Sequence, residues 1–201
     1  MSTPGVAVPG SVVASGAQVS PGGAQGLTGQ TGPPGASGGG SGGSGTKTWR
    51  KFSASDANPP ATAYALWQTR NSTPILAFND STQWSTFFVD VVPEGAVLTS
   101  GVLVRIAFVP ASASSGVCIF GVQIERMSTS VDADSFDTAG TVSTTVTSST
   151  VPVVASVTLT TIDGISVGDT YRLKVYRDAS NASDTMVGDS QIISVEIRSA
   201  N

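Results

Sequence analysis

From residue 48 onward the sequence consists of short runs in which apolar and polar residues alternate. An alternation with a period of two residues is typical of β-strands that bury one face. The clearest apolar faces are Val102/Val104/Ile106/Phe108, Cys118/Phe120/Val122/Ile124, Tyr171/Leu173/Val175 and Ile193/Val195/Ile197. None of these runs has the 3.6-residue period of an amphipathic helix. The pattern therefore predicts β-structure throughout this part of the chain.

Ten β-strands are predicted from these runs and from the turn-forming residues between them. Their spans are Thr48 to Ser53, Ala63 to Gln68, Pro74 to Phe78, Thr86 to Val92, Gly101 to Val109, Val117 to Arg126, Thr141 to Thr147, Val153 to Thr161, Thr170 to Tyr176 and Gln191 to Arg198. Strands of this number without a helix between them predict an all-β head, an antiparallel β-sandwich of the jelly-roll-like kind. An immunoglobulin-like sandwich is the alternative, although its Cys-Trp-Cys pattern is absent.

A different pattern, glycine at every third position, precedes the strands. The glycines in register are Gly23, Gly26, Gly29, Gly32, Gly35 and Gly38, with Pro33-Pro34 completing one triplet. Three chains of a collagen triple helix pack so closely that only glycine fits at the axis, so the run predicts a homotrimer with a short stalk. A flexible Gly/Ser linker is the competing interpretation. It is favoured for residues 39–47, where the glycines leave this register.

The sequence thus divides into four segments. Residues 1–22 are interpreted as an extended docking arm, residues 23–38 as the collagen-like stalk, residues 39–47 as a linker and residues 48–201 as the head. The arm contains proline and small apolar residues that would lie against a partner, namely Val6, Val8, Val12, Val13 and Val19. A disordered tail is the alternative for this segment, because it cannot bury enough apolar surface to fold alone.

Composition excludes several classes of function. The 201 residues carry 14 acidic side chains and only 10 scattered basic ones, which argues against a nucleic-acid partner, and without a histidine a Ser-His-Asp triad cannot be built. The single cysteine, Cys118, rules out a disulfide within the chain. No apolar run approaches the 18 or so residues of a membrane span, and no secretion signal is recognised. We therefore expect no enzyme activity, no cofactor and no membrane insertion.

A few residues remain as candidates for chemistry. Asp132, Asp134 and Asp137 alternate like the start of a calcium loop, but a solvated acidic loop is the favoured interpretation. Cys118 is expected to be a buried apolar residue. The aromatic residues Trp49, Trp67, Trp84, Phe87 and Phe88 could form a carbohydrate-stacking platform, although a place in the core or in a subunit interface is favoured. Asn71, Asn79 and Asn181 match the glycosylation pattern and are interpreted as turns.

The order of arm, Gly-X-Y run and Ser/Thr/Val-rich head resembles that of trimeric decoration proteins, head fibres and tail fibres of tailed bacteriophages. Within the head, residues 49–60, 171–178 and 184–189 look like segments of phage virion proteins. The resemblance implies a homotrimer on the virion exterior whose arm binds the major capsid protein or a tail protein. A capsid decoration (cement) or head-fibre role is expected first. A tail fibre or receptor-binding tip that contacts a host surface glycan or receptor is the alternative, ahead of a bacterial adhesin or a sugar-active enzyme.

Overall fold

The computed structural model of the chain describes residues 47–127 and 135–200. The described part contains one short 3-10 helix, η1 (Ala54–Asp56), and ten strands: β1 (Thr48–Ser53), β2 (Leu66–Arg70), β3 (Thr73–Phe78), β4 (Ser85–Val91), β5 (Val102–Pro110), β6 (Gly116–Arg126), β7 (Gly140–Val146), β8 (Val153–Leu159), β9 (Thr170–Arg177) and β10 (Ser190–Ser199). Each of the ten predicted strands overlaps an observed one, although β2 is shifted, since Ala63 to Gln68 was predicted and Leu66–Arg70 is found. The predicted arm, stalk and most of the linker lie outside the described residues, as do Asp132 and Asp134. No helix of the described part is long and apolar enough to cross a bilayer.

The strands form two antiparallel sheets that face each other across one core. The first sheet has the order β2-β3-β10-β5-β8, with β1 also paired to β10, and the second has the order β4-β9-β6-β7. Eight strands, β3 to β10, therefore form two four-stranded layers, β3-β10-β5-β8 and β4-β9-β6-β7, in the order of a jelly roll. The predicted fold class, an antiparallel β-sandwich with a jelly-roll-like arrangement, is confirmed.

The core lies between the two sheets and is filled by the apolar faces that the alternation predicts. The predicted inner residues of β5, β6 and β9 have no exposed surface. Aromatic rings bridge the sheets, since Phe52 of β1 stacks on Phe88 of β4 at 4.9 Å between ring centroids. Phe120 of β6 packs edge-on against Phe108 of β5, also at 4.9 Å. Close packing of this kind makes the two sheets one cooperative unit.

One predicted face, that of β10, is wrong at its first position. Ile193 was expected to point inward with Val195 and Ile197, but Ile192 is buried instead and Ile193 is only partly buried. The cause is a register shift in the pairing of β10 with β5, where Ile192 lies opposite Phe108 and Ser194 lies opposite Ala107. The extra residue of a β-bulge reverses the alternation at that point.

The antiparallel strands place their connections at two poles of the sandwich. The lower pole holds the first described residue, Lys47, and the last strand's end, since the Ser199 amide donates to the Lys47 carbonyl at 3.1 Å. The connection from β4 to β5 also lies there, because the Val97 amide donates to the Ser199 hydroxyl at 2.9 Å. The connection from β8 to β9 adjoins it, since the Val92 amide donates to the Asp169 carbonyl at 2.9 Å. The upper pole holds residues 79–84, 111–115, 147–152 and 178–189. The described part of the chain therefore begins at the lower pole, beside the end of β10.

Candidate functional site

The connection between β1 and β2 crosses the sandwich edge and covers β4. We name residues 57–65 the edge segment. Its Asn58 exchanges two backbone hydrogen bonds with Phe87, at 2.8 and 2.9 Å. Closer to β2, the Ala65 amide donates to the Ser85 carbonyl at 3.0 Å. The edge segment thus acts as an irregular outer strand that satisfies the open backbone groups of β4.

A shallow notch opens between the edge segment, β2 and the strands behind them. Its volume is about 160 Å³. Two aromatic side chains stand at its rim, Trp67 with 58% of its surface exposed and Tyr64 with 43%. Small and apolar residues, with one hydroxyl, complete the lining: Ala54, Ala57, Pro59, Ala65, Leu76 and Thr86. The notch is therefore an open, uncharged concavity that exposes two large rings.

Local hydrogen bonds fix the backbone on both sides of the notch. Ser53 donates its backbone N–H and its hydroxyl to the Asp56 carboxylate, at 2.7 and 2.8 Å, which closes the turn of η1. Both bonds hold the pKa of Asp56 below its ordinary value, and the bond from the Ser53 backbone N–H contributes more than the bond from its hydroxyl. At the other end, Ala63 has a φ of 51°, a left-handed conformation that is uncommon for a residue with a Cβ. The backbone therefore turns sharply at Ala63, immediately before Tyr64.

A second group of aromatic residues lies on the outer face of the sheet that contains β4. The rings of Phe87 and Phe136 stack at 5.7 Å between centroids, and the Arg172 guanidinium lies 5.0 and 4.8 Å from them. Arg172 also donates to the Glu125 carboxylate at 2.8 Å. Lys174 lies between the rings of Phe136 and Tyr176, at 5.6 and 5.7 Å. Because these charges already contact ring faces or a carboxylate, we interpret the group as a stabilising layer of the sheet.

The most deeply buried charges stabilise the upper pole. The Arg177 and Asp184 side chains are 0% and 1% exposed, and two hydrogen bonds of 3.0 and 2.7 Å join them. Arg177 also donates to the Gly188 carbonyl at 2.7 Å, and Asp184 accepts the Ile119 amide at 3.0 Å. The pair thereby ties the β9–β10 connection to β6. It is a structural element because its donors and acceptors are engaged within the fold.

The predicted chemical candidates have structural roles where they are described. Asp137 accepts the backbone N–H groups of Asp163 at 2.7 Å and Thr138 at 2.6 Å, and these bonds lower the pKa of its carboxyl group. Asp132 and Asp134 lie outside the described residues, so the calcium-loop alternative is not tested. Among the described residues no group of three potential metal ligands comes together. Cys118 is fully buried, and burial raises its thiol pKa to about 12.

The glycosylation-like asparagines are found in connections, as the sequence indicates. Asn71 and Ser72 have φ angles of 47° and 62° and form the two-residue turn between β2 and β3. The Asn79 side chain accepts the amides of Ser81 and Thr82 at 2.9 and 2.8 Å. Asn181 donates to the Asp178 carboxylate at 3.0 Å. Each matches the interpretation as a turn residue.

The predicted aromatic platform is divided between the core and the surface. Phe88 is buried, and Trp49 and Trp84 pack against the core. Trp67 is instead exposed beside Tyr64, a residue that the sequence did not single out. The sequence did contain one indication of this pair: Tyr64 and Trp67 lie within one short strand-like run that follows the turn Asn58-Pro59-Pro60.

Comparisons with known proteins give a fold-level likeness only. No family model matches the sequence, and no curated protein is significantly similar to it. Among solved structures, the chain is similar to a carbohydrate-binding module (CBM6cm-2) of Cellvibrio mixtus lichenase 5A in complex with cellotriose. The identity is 10%, the TM-score is 0.41, and the alignment covers 77% of this chain and 100% of the module. A likeness at this level carries no functional argument.

Proposed function

We propose that the chain is a non-enzymatic virion structural protein, a homotrimeric decoration or head-fibre protein anchored on a phage capsid through its N-terminal arm. The proposal begins from the Gly-X-Y run between residues 23 and 38, which as a collagen-like triple helix would need two further copies of the chain beside it. Three arms on one trimer would bind with high effective concentration after the first contact. Short docking segments would then suffice for lasting attachment to the major capsid protein.

The observation that carries the proposal is the polarity of the head. Lys47 lies at the lower pole, where Thr48 of β1 pairs with Arg198 near the end of β10. The upper pole and the notch belong to other connections. The first described residue therefore lies at one pole, and the opposite pole and the notch are free of it. This polarity supports a head that is attached at one end, as in a decoration protein or a fibre.

A tail fibre or receptor-binding tip is the second candidate function, and the notch favours it. An exposed tryptophan and an exposed tyrosine line the same concavity. Solvent-exposed aromatic side chains in a concavity are typical of surfaces that bind a ligand. In this alternative the same trimer would be present at the tail and would contact a host glycan or receptor.

The number of chains per purified particle distinguishes the two roles. Quantitative mass spectrometry against the major coat subunit would give copies in the hundreds for a decoration protein, because each trimer repeats with the capsid lattice. A few copies would assign the chain to the tail and make host binding the leading function. Absence from purified particles would contradict both.

Removal of residues 1–20 tests the role of the arm. The shortened chain should remain trimeric by light scattering and should no longer bind particles, because the arm holds the apolar residues assigned to docking. A full-length chain in which Val6, Val8 and Val12 are replaced by serine is the matched control for arm length. Retained binding by the shortened chain would mean that the head binds the particle directly.

A further inference from the structure

We propose that the notch binds one ring of a neutral hexose in a surface glycan, with the C–H face of the sugar ring stacked on Trp67. The proposal concerns the surface of the head and goes beyond the virion role, since it holds for any assembly that leaves the notch open. Four features of the notch lead to it: its size, the absence of charged residues from its lining, its largely polar surroundings and its fixed backbone.

The size of the notch limits the ligand to a single ring. Sites for drug-sized ligands enclose about 300–1,000 Å³. The notch has about 160 Å³ and is open on one side. A six-membered sugar ring fits this space, and the rest of an oligosaccharide would continue into solvent. Tyr64 and Trp67 would contact the ring at the rim while Ala57 lies beneath it.

The lining matches a ligand that is apolar on one face and hydroxylated at its edge. Trp67 and Tyr64 present ring surfaces together with an indole N–H and a phenol O–H, and Thr86 adds a hydroxyl group. Such side chains are favoured where one part of a ligand is apolar and another part is hydrated. No lysine, arginine, aspartate or glutamate lines the notch, so a neutral sugar is favoured over an acidic one.

The surroundings of the notch argue against a protein partner. A stable protein interface buries about 800 Å² on each side and has a continuous apolar centre. Most exposed neighbours of the notch are polar: Ser55, Asp56 and Asn58 lie before it and Gln68 and Thr69 after it, while Leu66, 37% exposed, is the large apolar side chain that adjoins Trp67. Polar side chains thus interrupt the apolar surface around the notch, which favours a single ring over an extended interface.

The backbone of the notch is held in place before any ligand binds. Asn58 and Ala65 are hydrogen-bonded to β4 on either side of the strained Ala63. Left-handed conformations at residues with a Cβ persist only where surrounding contacts enforce them, and they are common at ligand sites. A preformed site loses little conformational entropy on binding. This matters for one sugar ring, because its few contacts could not offset a large ordering cost.

The experiment is a titration of the full chain with three neutral trisaccharides, maltotriose, galactotriose and mannotriose. Binding is followed through the indole N–H signals of the 3 tryptophans in a two-dimensional NMR spectrum, with Trp67 assigned from a Trp67→Phe variant. We expect a saturable shift of the Trp67 signal at millimolar concentrations of at least one trisaccharide. Trp67→Ala should weaken this binding about tenfold or more, because the stacking surface is lost.

Two further variants distinguish binding of the sugar inside the notch from a general disturbance of the strand β2 at the sheet edge. Ala57→Leu should abolish binding by filling the notch while both aromatic rings remain. Leu66→Ala is the matched control, since it changes the next residue on the same exposed strand but does not line the notch. It should bind like the unmodified chain. Each variant is checked for unchanged thermal unfolding before titration.

Three results would overturn the proposal. The first is the absence of binding by all three trisaccharides at millimolar concentration. The second is binding that Trp67→Ala does not weaken, which would place the sugar elsewhere on the head. The third is stronger binding of acetyl-phenylalanine amide than of any trisaccharide, because the notch would then accept an apolar side chain of a protein partner. Particle copy number affects none of these outcomes, so this proposal and the virion role can fail separately.

Discussion

Replacing Asp184 with alanine should destabilise the head strongly, because it leaves the Arg177 guanidinium buried without its carboxylate partner. Arg177 has no exposed side-chain surface, so water cannot replace the lost bonds. The substitution removes the bonds of 3.0 and 2.7 Å to Arg177 and the 3.0 Å bond from the Ile119 amide. Breaking a buried ion pair from one side typically costs about 3–5 kcal/mol.

This cost is a large share of the stability that a single domain has. Domains unfold with a free energy of about 5–15 kcal/mol, so the variant would be close to the limit of folding. With a urea dependence of about 2 kcal/mol per molar, a loss of about 4 kcal/mol lowers the unfolding midpoint by roughly 2 M. The measurement is urea unfolding followed by tryptophan fluorescence at one fixed chain concentration.

An exposed pair on the same molecule provides the matched control. Arg105 and Glu196 are joined at 3.3 Å, but their side chains are 39% and 20% exposed. Arg105→Ala should therefore cost at most about 1 kcal/mol, since water and salt screen the pair. The double variant Arg177→Met with Asp184→Ala should be more stable than Asp184→Ala alone, because no unpaired charge remains buried. An equal effect of Asp184→Ala and Arg105→Ala would refute the assignment of the buried pair.

Three further predictions concern residues away from the notch. The Cys118 thiol should not react with iodoacetamide at pH 8 in the folded chain and should react fully in denaturant, as counted by mass spectrometry, because it is buried and its pKa is raised to about 12. Gly121→Ala should lower the free energy of unfolding, measured by thermal unfolding, by about 1–3 kcal/mol, because a Cβ there would lie 2.0 Å from the Tyr176 ring. Asp137→Asn should destabilise the head at pH 7, with a difference from the unmodified chain that shrinks in acid. The folded-state pKa of Asp137 is lowered from 3.8, so its contribution is complete above that pH and is lost as pH falls through the lower value.

Each of these predictions has an outcome that would contradict it. Alkylation of the native chain at the denatured rate would show that Cys118 is exposed in solution. An unchanged unfolding temperature for Gly121→Ala would show that the Tyr176 ring moves aside freely, and Tyr176→Ala is the control for loss of the ring itself. A constant difference between Asp137→Asn and the unmodified chain down to pH 2 would mean that its bonds to Asp163 and Thr138 contribute nothing.

The sequence predicts the strands well because burial of one face imposes a strict alternation. The inner residues of β5, β6 and β9 are read directly from that pattern. The exception, Ile193, follows from a bulge that depends on how β10 pairs with β5, and the pairing partner lies about eighty residues away in the chain. Local alternation contains no information about such a register shift.

The notch could not be predicted for a related reason. Tyr64 and Trp67 lie close together in the sequence, but Leu76 and Thr86 come from strands whose position is known only after folding. The prediction favoured a core or interface role for the tryptophans, which is confirmed for the core contacts of Trp49 and Trp84. Trp67 does not belong to the core, because β2 lies at the edge of its sheet with most of its side chains exposed, and a subunit interface at Trp67 stays a prediction.

The proposed glycan binding and the stability of the fold depend on different parts of the head. The edge segment and β2 lie outside the eight strands that form the jelly roll, so residues at the rim of the notch can change without loss of core packing. Trp67, with more than half of its surface exposed, should contribute little to the free energy of unfolding. Phe52, which is buried and stacks on Phe88, should contribute several times more, about 3–5 kcal/mol on replacement with alanine. A Trp67→Ala variant that loses glycan binding at full stability, beside a Phe52→Ala variant that loses stability, would separate the two roles experimentally. Equal destabilisation by both would mean that Trp67 belongs to the core energetically and that its exposure has no functional meaning.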